Sequence, residues 1–126
     1  MAPAPDHDFL DFVHDQLSHL ARVSSKRMFG AIGLYQDACF FGIIDEGRLY
    51  FLTGDESRKR YLAQGMKAFE YAPGKTLHSY YEVPVDVLED DRELCAWARE
   101  AVTVQETRRR KRPARAKSKK KTRSRS

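Results

Sequence analysis

The residues with the clearest chemistry are twelve lysines and arginines near the end of the chain. They lie within residues 108–126, here called the tail, which hold no aspartate or glutamate. Ammonium and guanidinium groups at this density neutralise phosphates and release the counterions that surround a polyanion. The tail therefore predicts nonspecific nucleic-acid binding through Arg108, Arg109, Arg110, Lys111, Arg112, Arg115, Lys117, Lys119, Lys120, Lys121, Arg123 and Arg125.

The rest of the chain, residues 1–107, carries the opposite charge and is here called the body. The whole chain has 23 basic and 18 acidic residues. Without the twelve cations of the tail, eleven basic residues face the same eighteen acidic ones, so the body has a net charge of −7. Such a body repels phosphate, and we expect the tail to carry the affinity. Two alternatives are a solvated tail without a partner and a tail bound to an acidic protein. A membrane is disfavoured, because the tail has no aromatic residue or leucine to bury.

No pattern in the body indicates catalysis. There is no G-x-S-x-G motif and no cysteine beside a histidine. His7, Asp11 and His14 have a spacing that puts them on one helix face, where they could hold a divalent metal, but a solvated polar face is the simpler interpretation. Cys39 and Cys95 are far apart without a C-x-x-C pair, which is typical of buried thiols. The sequence thus predicts a protein that is not an enzyme, with no cofactor and no metal.

Length and composition favour one folded domain, residues 1–107, followed by a basic, disordered tail, residues 108–126. No apolar run is long enough to span a membrane, and the first residues lack the pattern of a secretory signal. A cytoplasmic protein is expected, with association to the nucleoid if the tail binds DNA.

Hydrophobic periodicity predicts eight elements in the body. Thr53 with Glu56 has capping-box spacing, Asp90 can cap the last helix, and Pro113 is expected to end it. The order α-β-β-β-α-β-β-α predicts an α+β fold with a mostly antiparallel sheet packed by helices. The predicted helices are 7–22, 53–64 and one from residue 90, and the predicted strands are 27–35, 39–44, 48–52, 68–71 and 78–83.

Three residues near the first predicted strand have two interpretations each. Arg27 either pairs with a buried carboxylate, Glu70 or Glu82, or faces a ligand; the pair is favoured. Gly30 and Gly33 could cradle a phosphate, but glycines inside a strand pattern more often mark close packing or a bulge.

Three further sets of residues are candidates for packing, binding or pairing. Tyr80 and Tyr81 lie on opposite faces of a strand, where cross-strand packing is favoured over stacking on bases. The cluster Arg58–Arg60 could extend a nucleic-acid surface, although a solvated face is favoured. Asp15 and His19 have the spacing of a weak surface pair.

A set of residues in the body resembles the N-terminal domain of the TfoX/Sxy family. Its signature, R-M-F-G-G-x-G-aliphatic-Y, is similar to Arg27–Tyr35. Further matches follow in order at Phe40–Ile44, Gly47, Leu49, Tyr50, Phe69–Tyr71, Tyr80–Pro84, Leu94, Trp97 and Ala98. The resemblance covers roughly residues 20–101 and implies an α-β-β-β-α-β-β-α domain of a competence-regulator type, linked to transcription regulation.

Two departures from the family pattern limit what the resemblance implies. Ala31 stands where the second glycine is usual, and the tail stands where full-length competence regulators carry a second domain. The resemblance implies no catalytic residue. We therefore expect a regulatory or adaptor domain that contacts a protein partner or forms a homodimer. The alternative is a small-molecule-binding or enzymatic domain with a pocket near Arg27 and the strand tyrosines, Tyr81 among them.

Overall fold

The computed structural model describes residues 5–28 and 30–120, with side chains between residues 8 and 110. This part of the chain combines a six-stranded antiparallel sheet with four helices, so the predicted α+β class and order of elements are confirmed. The helices are α1 (Pro5–Gln16), α2 (Asp55–Ala63), α3 (Val85–Leu88) and α4 (Asp91–Lys120). The strands are β1 (Val23–Met28), β2 (Ala31–Gln36), β3 (Cys39–Asp45), β4 (Arg48–Leu52), β5 (Ala68–Ala72) and β6 (Lys75–Glu82).

The sheet has the order β1-β2-β3-β4-β6-β5, and every neighbouring pair is antiparallel. The stretch 27–35 was expected to be one strand, but it is a hairpin in which Met28 pairs with Ala31. Gly30 lies in the turn with a φ of 80°, a left-handed conformation that glycine adopts without a Cβ clash. The serines at 24 and 25, which lie between the first predicted helix and the first predicted strand, are part of β1.

The helices pack on one face of the sheet. Helix α4 lies across β3 and β4, and α1 contacts both α4 and β3. Tyr61 of α2 meets the Trp97 ring of α4 edge-on at 4.8 Å and the Tyr81 ring of β6 at 6.3 Å. Because side chains alternate along a strand, Tyr80 lies on the opposite face, where its ring is 5.5 Å from Phe40. Aromatic packing against other strands and helices, the favoured interpretation of Tyr80 and Tyr81, is therefore what the structure shows.

The first helix is shorter than its hydrophobic pattern predicts. Helix α1 ends at Gln16 instead of residue 22, and the Gln16 side chain donates a 2.9 Å hydrogen bond to the Leu88 carbonyl oxygen. The expected pair of Asp15 with His19 does not form, since His19 lies beyond the helix. Its Nε2 is instead 3.4 Å from the Asp91 carboxylate at the start of α4. Tertiary contacts thus replace the last predicted turn.

The two cysteines are free and buried in the core, as predicted. The Cys95 thiol donates to the Gln16 carbonyl oxygen at 3.4 Å, so it helps to join α4 to the end of α1. The Cys39 thiol donates to the Val102 carbonyl oxygen at 3.7 Å. Both behave as small core residues that add weak contacts between the sheet, α1 and α4.

The caps of two helices agree only in part with the sequence. Asp90 caps α4 as predicted, since its Oδ1 accepts hydrogen bonds from the amides of Arg92 and Glu93. Helix α2 begins one residue later than its predicted capping box, because Gly54 is the N-cap and donates to Ser57 Oγ at 2.9 Å. The Thr53 hydroxyl donates instead to the Ser79 carbonyl oxygen, which ties β4 to β6.

Helix α4 continues through Pro113 to Lys120, beyond its predicted end. Its 30 residues correspond to a length of about 45 Å. Proline has no amide hydrogen, so the carbonyl of Arg109 lacks its usual partner and Pro113 marks a weak turn of the helix. The disordered tail stays a prediction for the free protein in solution. None of the described helices is long and apolar enough to cross a membrane.

Candidate nucleic-acid interface

Helix α4 leaves the folded body through a short, anchored stretch. Val102 is buried in the core, and Val104 packs partly against it. The Gln105 side chain then donates a 2.8 Å hydrogen bond from Nε2 to the Phe40 carbonyl oxygen at the start of β3. From residue 106 to residue 110 the side chains are exposed. The tail therefore begins where α4 stops contacting the sheet.

The cations of the tail fall into three groups in the structure. Arg108, Arg109 and Arg110 have exposed side chains. Six more occupy backbone positions of α4 at Lys111, Arg112, Arg115, Lys117, Lys119 and Lys120. The remaining three, Lys121, Arg123 and Arg125, lie outside the described residues. Because successive helix positions are about 100° apart, positions 108–112 are distributed around the whole circumference of α4.

The first tail arginines lie close to two buried groups of the body. Burial raises the pKa of the Tyr80 phenol to about 12, and the positive charge of Arg108 opposes that rise. Burial also raises the pKa of the Cys39 thiol, with a further rise from Glu106 and an opposing effect of Arg109. The neutral Tyr80 and Cys39 side chains thus line the site where the tail departs. The Glu106 carboxylate acts on the same thiol as Arg109, so it shares this site with the first tail arginines.

A groove of about 610 Å³ lies between the start of α2 and the last turns of α4 in the body. Its lining includes two cations, Arg58 and Arg108, and three carboxylates, Asp55, Glu56 and Glu100. Cations and carboxylates are thus mixed in this groove. It does not form a uniformly positive surface for phosphates, in contrast to the tail beside it.

The cluster Arg58–Arg60 is already engaged by carboxylates. Arg58 is 3.5 Å from Asp55, and Lys59 is 3.3 Å from Glu56. Arg60 pairs with Glu100, and its guanidinium lies 4.6 Å from the centre of the Trp97 ring. These contacts agree with the solvated-face interpretation, in which the cluster balances local acids and packs α2 against α4.

Arg27 and Tyr81 are not brought together by the structure. Arg27 is exposed on β1, at one edge of the sheet, while Tyr81 lies on β6, four strands away. At about 4.8 Å per strand, the two strands are about 19 Å apart. The predicted pair of Arg27 with Glu70 or Glu82 is wrong for the same reason, since both carboxylates lie on β5 or β6. At this separation, Arg27 and Tyr81 do not line a common pocket.

Gly30 and Gly33 do not form a phosphate-binding loop between a strand and a helix. Gly30 is in the turn of the β1–β2 hairpin, and Gly33 is inside β2. A Cβ atom at Gly33 would lie 2.8 Å from the Met28 sulfur and 3.1 Å from the Phe40 ring. A register shift occurs next to it, between Leu34 and Tyr35. Close packing beside a bulge, the favoured interpretation, is confirmed for Gly33, while Gly30 serves the turn.

The histidines give no metal site in the part of the chain with described side chains. His7 lies outside that part, and Asp11 and His14 lie along α1. No group of three histidine, cysteine or carboxylate side chains able to hold a metal occurs among the residues searched.

Sequence reasoning missed two features that position the tail and the sheet. Gln105 anchors α4 to β3 through a backbone carbonyl, a contact that no local sequence pattern announces. Strand β1 was hidden in a polar stretch, because four of its six residues are exposed and give no alternation. The glycine at position 30, followed by a second strand-like run, was the signal that could have revealed the hairpin.

Together, these features define a small α+β domain with a cationic helical extension. The sequence model of the TfoX N-terminal domain family matches residues 15–105. The match covers most of the chain, and the protein therefore belongs to this family. It ends at Gln105, the residue that anchors α4 to β3, so the tail lies outside the matched stretch.

The chain is also similar to a curated protein, DNA transformation protein TfoX1 of Aliivibrio fischeri (strain ATCC 700601 / ES114). The two are 30% identical over 77 residues, which represent 60% of this chain and 35% of that protein. The chain thus spans about a third of the relative it matches. The name of the relative connects that protein with DNA transformation.

Proposed function

We propose that this protein is a non-enzymatic regulatory or adaptor module that is tethered to nucleic acid by its tail. The segregation of charge carries the proposal. Twelve cations and no carboxylate occupy the tail, while the body has a net charge of −7. Arg108–Arg110 are exposed directly after the point where α4 leaves the sheet. Phosphates can therefore approach these cations along α4, away from the acidic surface that repels them.

The tethering is expected to be indifferent to base sequence. Cations spread around a helix act as point charges on phosphates, and phosphate contacts supply affinity and position but carry no sequence information. Any specificity of the module then comes from the body, through a protein partner or a second copy. Affinity from the tail and specificity from the body together are what we expect of an adaptor in the cytoplasm that is held near the nucleoid.

Membership of the TfoX N-terminal domain family supports the regulatory part of the proposal. The similar protein from Aliivibrio fischeri is named as a DNA transformation protein, which connects this kind of domain with the handling of DNA. The proposal therefore includes a role of this chain in regulating DNA uptake, in which the chain catalyses no reaction.

The direct test is fluorescence anisotropy with a labelled random duplex, a single strand and an RNA hairpin over a salt series. The full chain is compared with a full-length variant in which the twelve tail cations are changed to Gln. We expect binding by the native chain alone, at similar strength for duplexes of different sequence. If six cations engage duplex phosphates, the logarithm of affinity should fall with the logarithm of salt with a slope of roughly −5.

The truncated chain 1–107 is the second comparison, because all core residues lie within it. Equal binding by this truncation and by the native chain would place the nucleic-acid site on the body and overturn the proposal. Absence of binding by the native chain at physiological salt would overturn it as well.

A further inference from the structure

Strand β1 forms an edge of the sheet that is regular enough to accept another strand. In the described part of the chain it pairs with β2 alone, through six consecutive residue pairs from Val23 with Gln36 to Met28 with Ala31. No register shift interrupts this pairing. The outer side of β1 therefore presents a straight row of backbone donors and acceptors.

The register shows which backbone groups point outward. The Asp37 amide donates a 3.2 Å hydrogen bond to the Arg22 carbonyl oxygen, so these two residues form a hydrogen-bonded pair. Hydrogen-bonded pairs alternate along an antiparallel ladder. The even-numbered residues of β1 thus bond to β2, and the amides and carbonyls of Val23, Ser25 and Arg27 face away from the sheet.

The opposite edge of the sheet is built differently. Strand β5 has register shifts between Ala68 and Phe69 and between Glu70 and Ala72. Bulges of this kind twist an edge strand and prevent the addition of another strand. Of the two edge strands, β1 is therefore the one whose backbone pairing has no register shift.

The accessible side chains of β1 are positively charged or small and polar. Ser24, Ser25, Lys26 and Arg27 are all exposed. No aspartate or glutamate occurs between residues 22 and 36, although the body as a whole has a net charge of −7. This edge is therefore a local positive strip on an acidic body.

We propose that β1 receives an extended, acidic segment of a partner protein as an added strand. The inference rests on the adaptor part of the proposed function and names the surface that the partner uses. Main-chain hydrogen bonds to Val23, Ser25 and Arg27 hold the segment, and carboxylates beside Lys26 and Arg27 select it.

The same features argue against two other occupants. Two copies of β1 paired antiparallel about Ser25 would put Lys26 of each copy diagonally opposite Lys26 of the other, about 7–8 Å apart, which is unfavourable. Phosphates can accept from the outward amides but have no donors for the outward carbonyls, so contacts with a phosphate backbone satisfy half of this edge.

The test uses the full chain and a fluorescent peptide of about eight residues with the repeat Thr-Thr-Glu-Glu, which puts glutamates on both faces of the added strand, as the cations Lys26 and Arg27 are on β1. A second peptide has the same sequence with alternate amides methylated, which keeps the charge and removes the strand-pairing donors. Both peptides can bind the cations of the tail, so the difference in affinity between them isolates pairing with β1. At roughly 0.3 M salt, where charge contacts are screened, we expect the unmethylated peptide to bind about tenfold more tightly.

The matched variants are Ser25→Pro and Ser25→Ala. Proline removes one outward amide without removing a bond to β2, whereas alanine keeps the amide. We expect Ser25→Pro to lose the preference for the unmethylated peptide and Ser25→Ala to keep it. Amide exchange measured by NMR should show new protection of Ser25 and Arg27 in the native complex, while Ser24 and Lys26 are already protected by β2.

Three results would overturn the inference: equal affinity for the two peptides, an unchanged preference in Ser25→Pro, or protection of Ser25 in the free protein that increases with protein concentration. The last would identify a second copy as the occupant.

Duplex binding by Ser25→Pro separates this inference from the tether. If the native chain shows salt-sensitive duplex binding but no preference for the unmethylated peptide, the β1 site is ruled out and the tether is not. If a folded Ser25→Pro variant no longer binds the duplex, the result counts against the tail as the nucleic-acid site.

Discussion

Gly33 is a position where the absence of a side chain has a direct packing reason. A Cβ there would meet the Met28 sulfur at 2.8 Å, the Phe40 ring at 3.1 Å and the Tyr35 ring at 3.3 Å. We expect Gly33→Ala to lower the free energy of unfolding by about 1–3 kcal/mol, as is common for overpacking. Urea denaturation measures the change.

The nearest atom in this contact is the end of a flexible side chain, which provides a control. In a double-mutant cycle, Met28→Ala should relieve part of the cost of Gly33→Ala, because it removes the closest atom. Strictly additive effects of the two substitutions would show that the crowding around Gly33 is not what makes alanine unfavourable.

Tyr80 gives a prediction for alkaline pH. Burial raises the pKa of Tyr80 to about 12 in the folded protein, and the unfolded phenol titrates near its ordinary pKa of 10. The folded state thus favours the neutral phenol, and its contribution to stability is complete below pH 10. It is lost progressively as the pH rises from about 10 to about 12.

The measurement is the free energy of unfolding at pH 8, 10 and 12 for the native protein and Tyr80→Phe. Phenylalanine cannot ionise, so the native protein should lose about 2 kcal/mol more than the variant over this range. Tyr61 also contributes to the alkaline loss in both proteins, since burial raises its pKa too. Parallel pH profiles for the two proteins would contradict the assignment to Tyr80.

Residue types were predictable from the sequence, but their partners were not. Burial of Cys39 and Cys95 follows from their chemistry and from their spacing. The partner of Arg27 depends on the order of the strands in the sheet, which is set by long-range packing. The sequence suggested Glu70 and Glu82 as partners of Arg27. In the strand order β1-β2-β3-β4-β6-β5, however, both lie on strands at the other end of the sheet from β1.

At the level of elements, Asp90 fixes the start of α4. Its carboxylate accepts from the amides of Arg92 and Glu93 at 3.1 and 3.2 Å. We expect Asp90→Ala to lower the free energy of unfolding by about 1 kcal/mol, since two amides of the first turn lose their acceptor.

Asp90→Asn is the matched control, because an asparagine side chain can still accept from the same amides. It should retain most of the stability in urea denaturation. If asparagine and alanine were equally destabilising, the negative charge near the helix start, and not the cap, would be the important property.

Apolar periodicity predicted the interior strands and helices α1, α2 and α4 of this fold, but not the short helix α3 or the polar edge strand β1. Strands β3 and β4 are almost continuously buried, so their hydrophobic runs locate them within a residue or two. Strand β1 consists mainly of exposed residues and lacks that signal. The early end of α1 at Gln16 and the use of Thr53 to join β4 to β6 result from tertiary contacts, which local propensity does not contain.

At the scale of the whole molecule, stability and nucleic-acid affinity belong to different parts of the chain. Among the described side chains, the buried core residues and those packed against them lie between Phe9 and Val104. Removal of residues 108–126 should therefore change the free energy of unfolding by less than about 0.5 kcal/mol, as is typical for surface changes. Thermal denaturation of the full and truncated chains at equal salt measures this difference. A large loss of stability would show that the tail packs on the body.

The separation of charge between body and tail could be predicted from the sequence, because net charge is a sum over residues. The place where the tail leaves the body could not, since it depends on the contact of Gln105 with Phe40 across the fold. The family match also ends at Gln105, which agrees with a tail that is an addition to a shared domain.

The salt dependence of duplex binding after stepwise neutralisation of the tail shows whether the tail or the body holds the nucleic acid. One variant changes the five cations at 108–112 to Gln, a second changes the seven at 115–125, and a third changes all twelve. We expect the salt slope to shrink by about 0.9 for each phosphate-contacting cation removed, whichever half is changed, and to vanish in the third variant. A third variant that keeps the native slope would contradict this expectation and place the nucleic-acid site on the body.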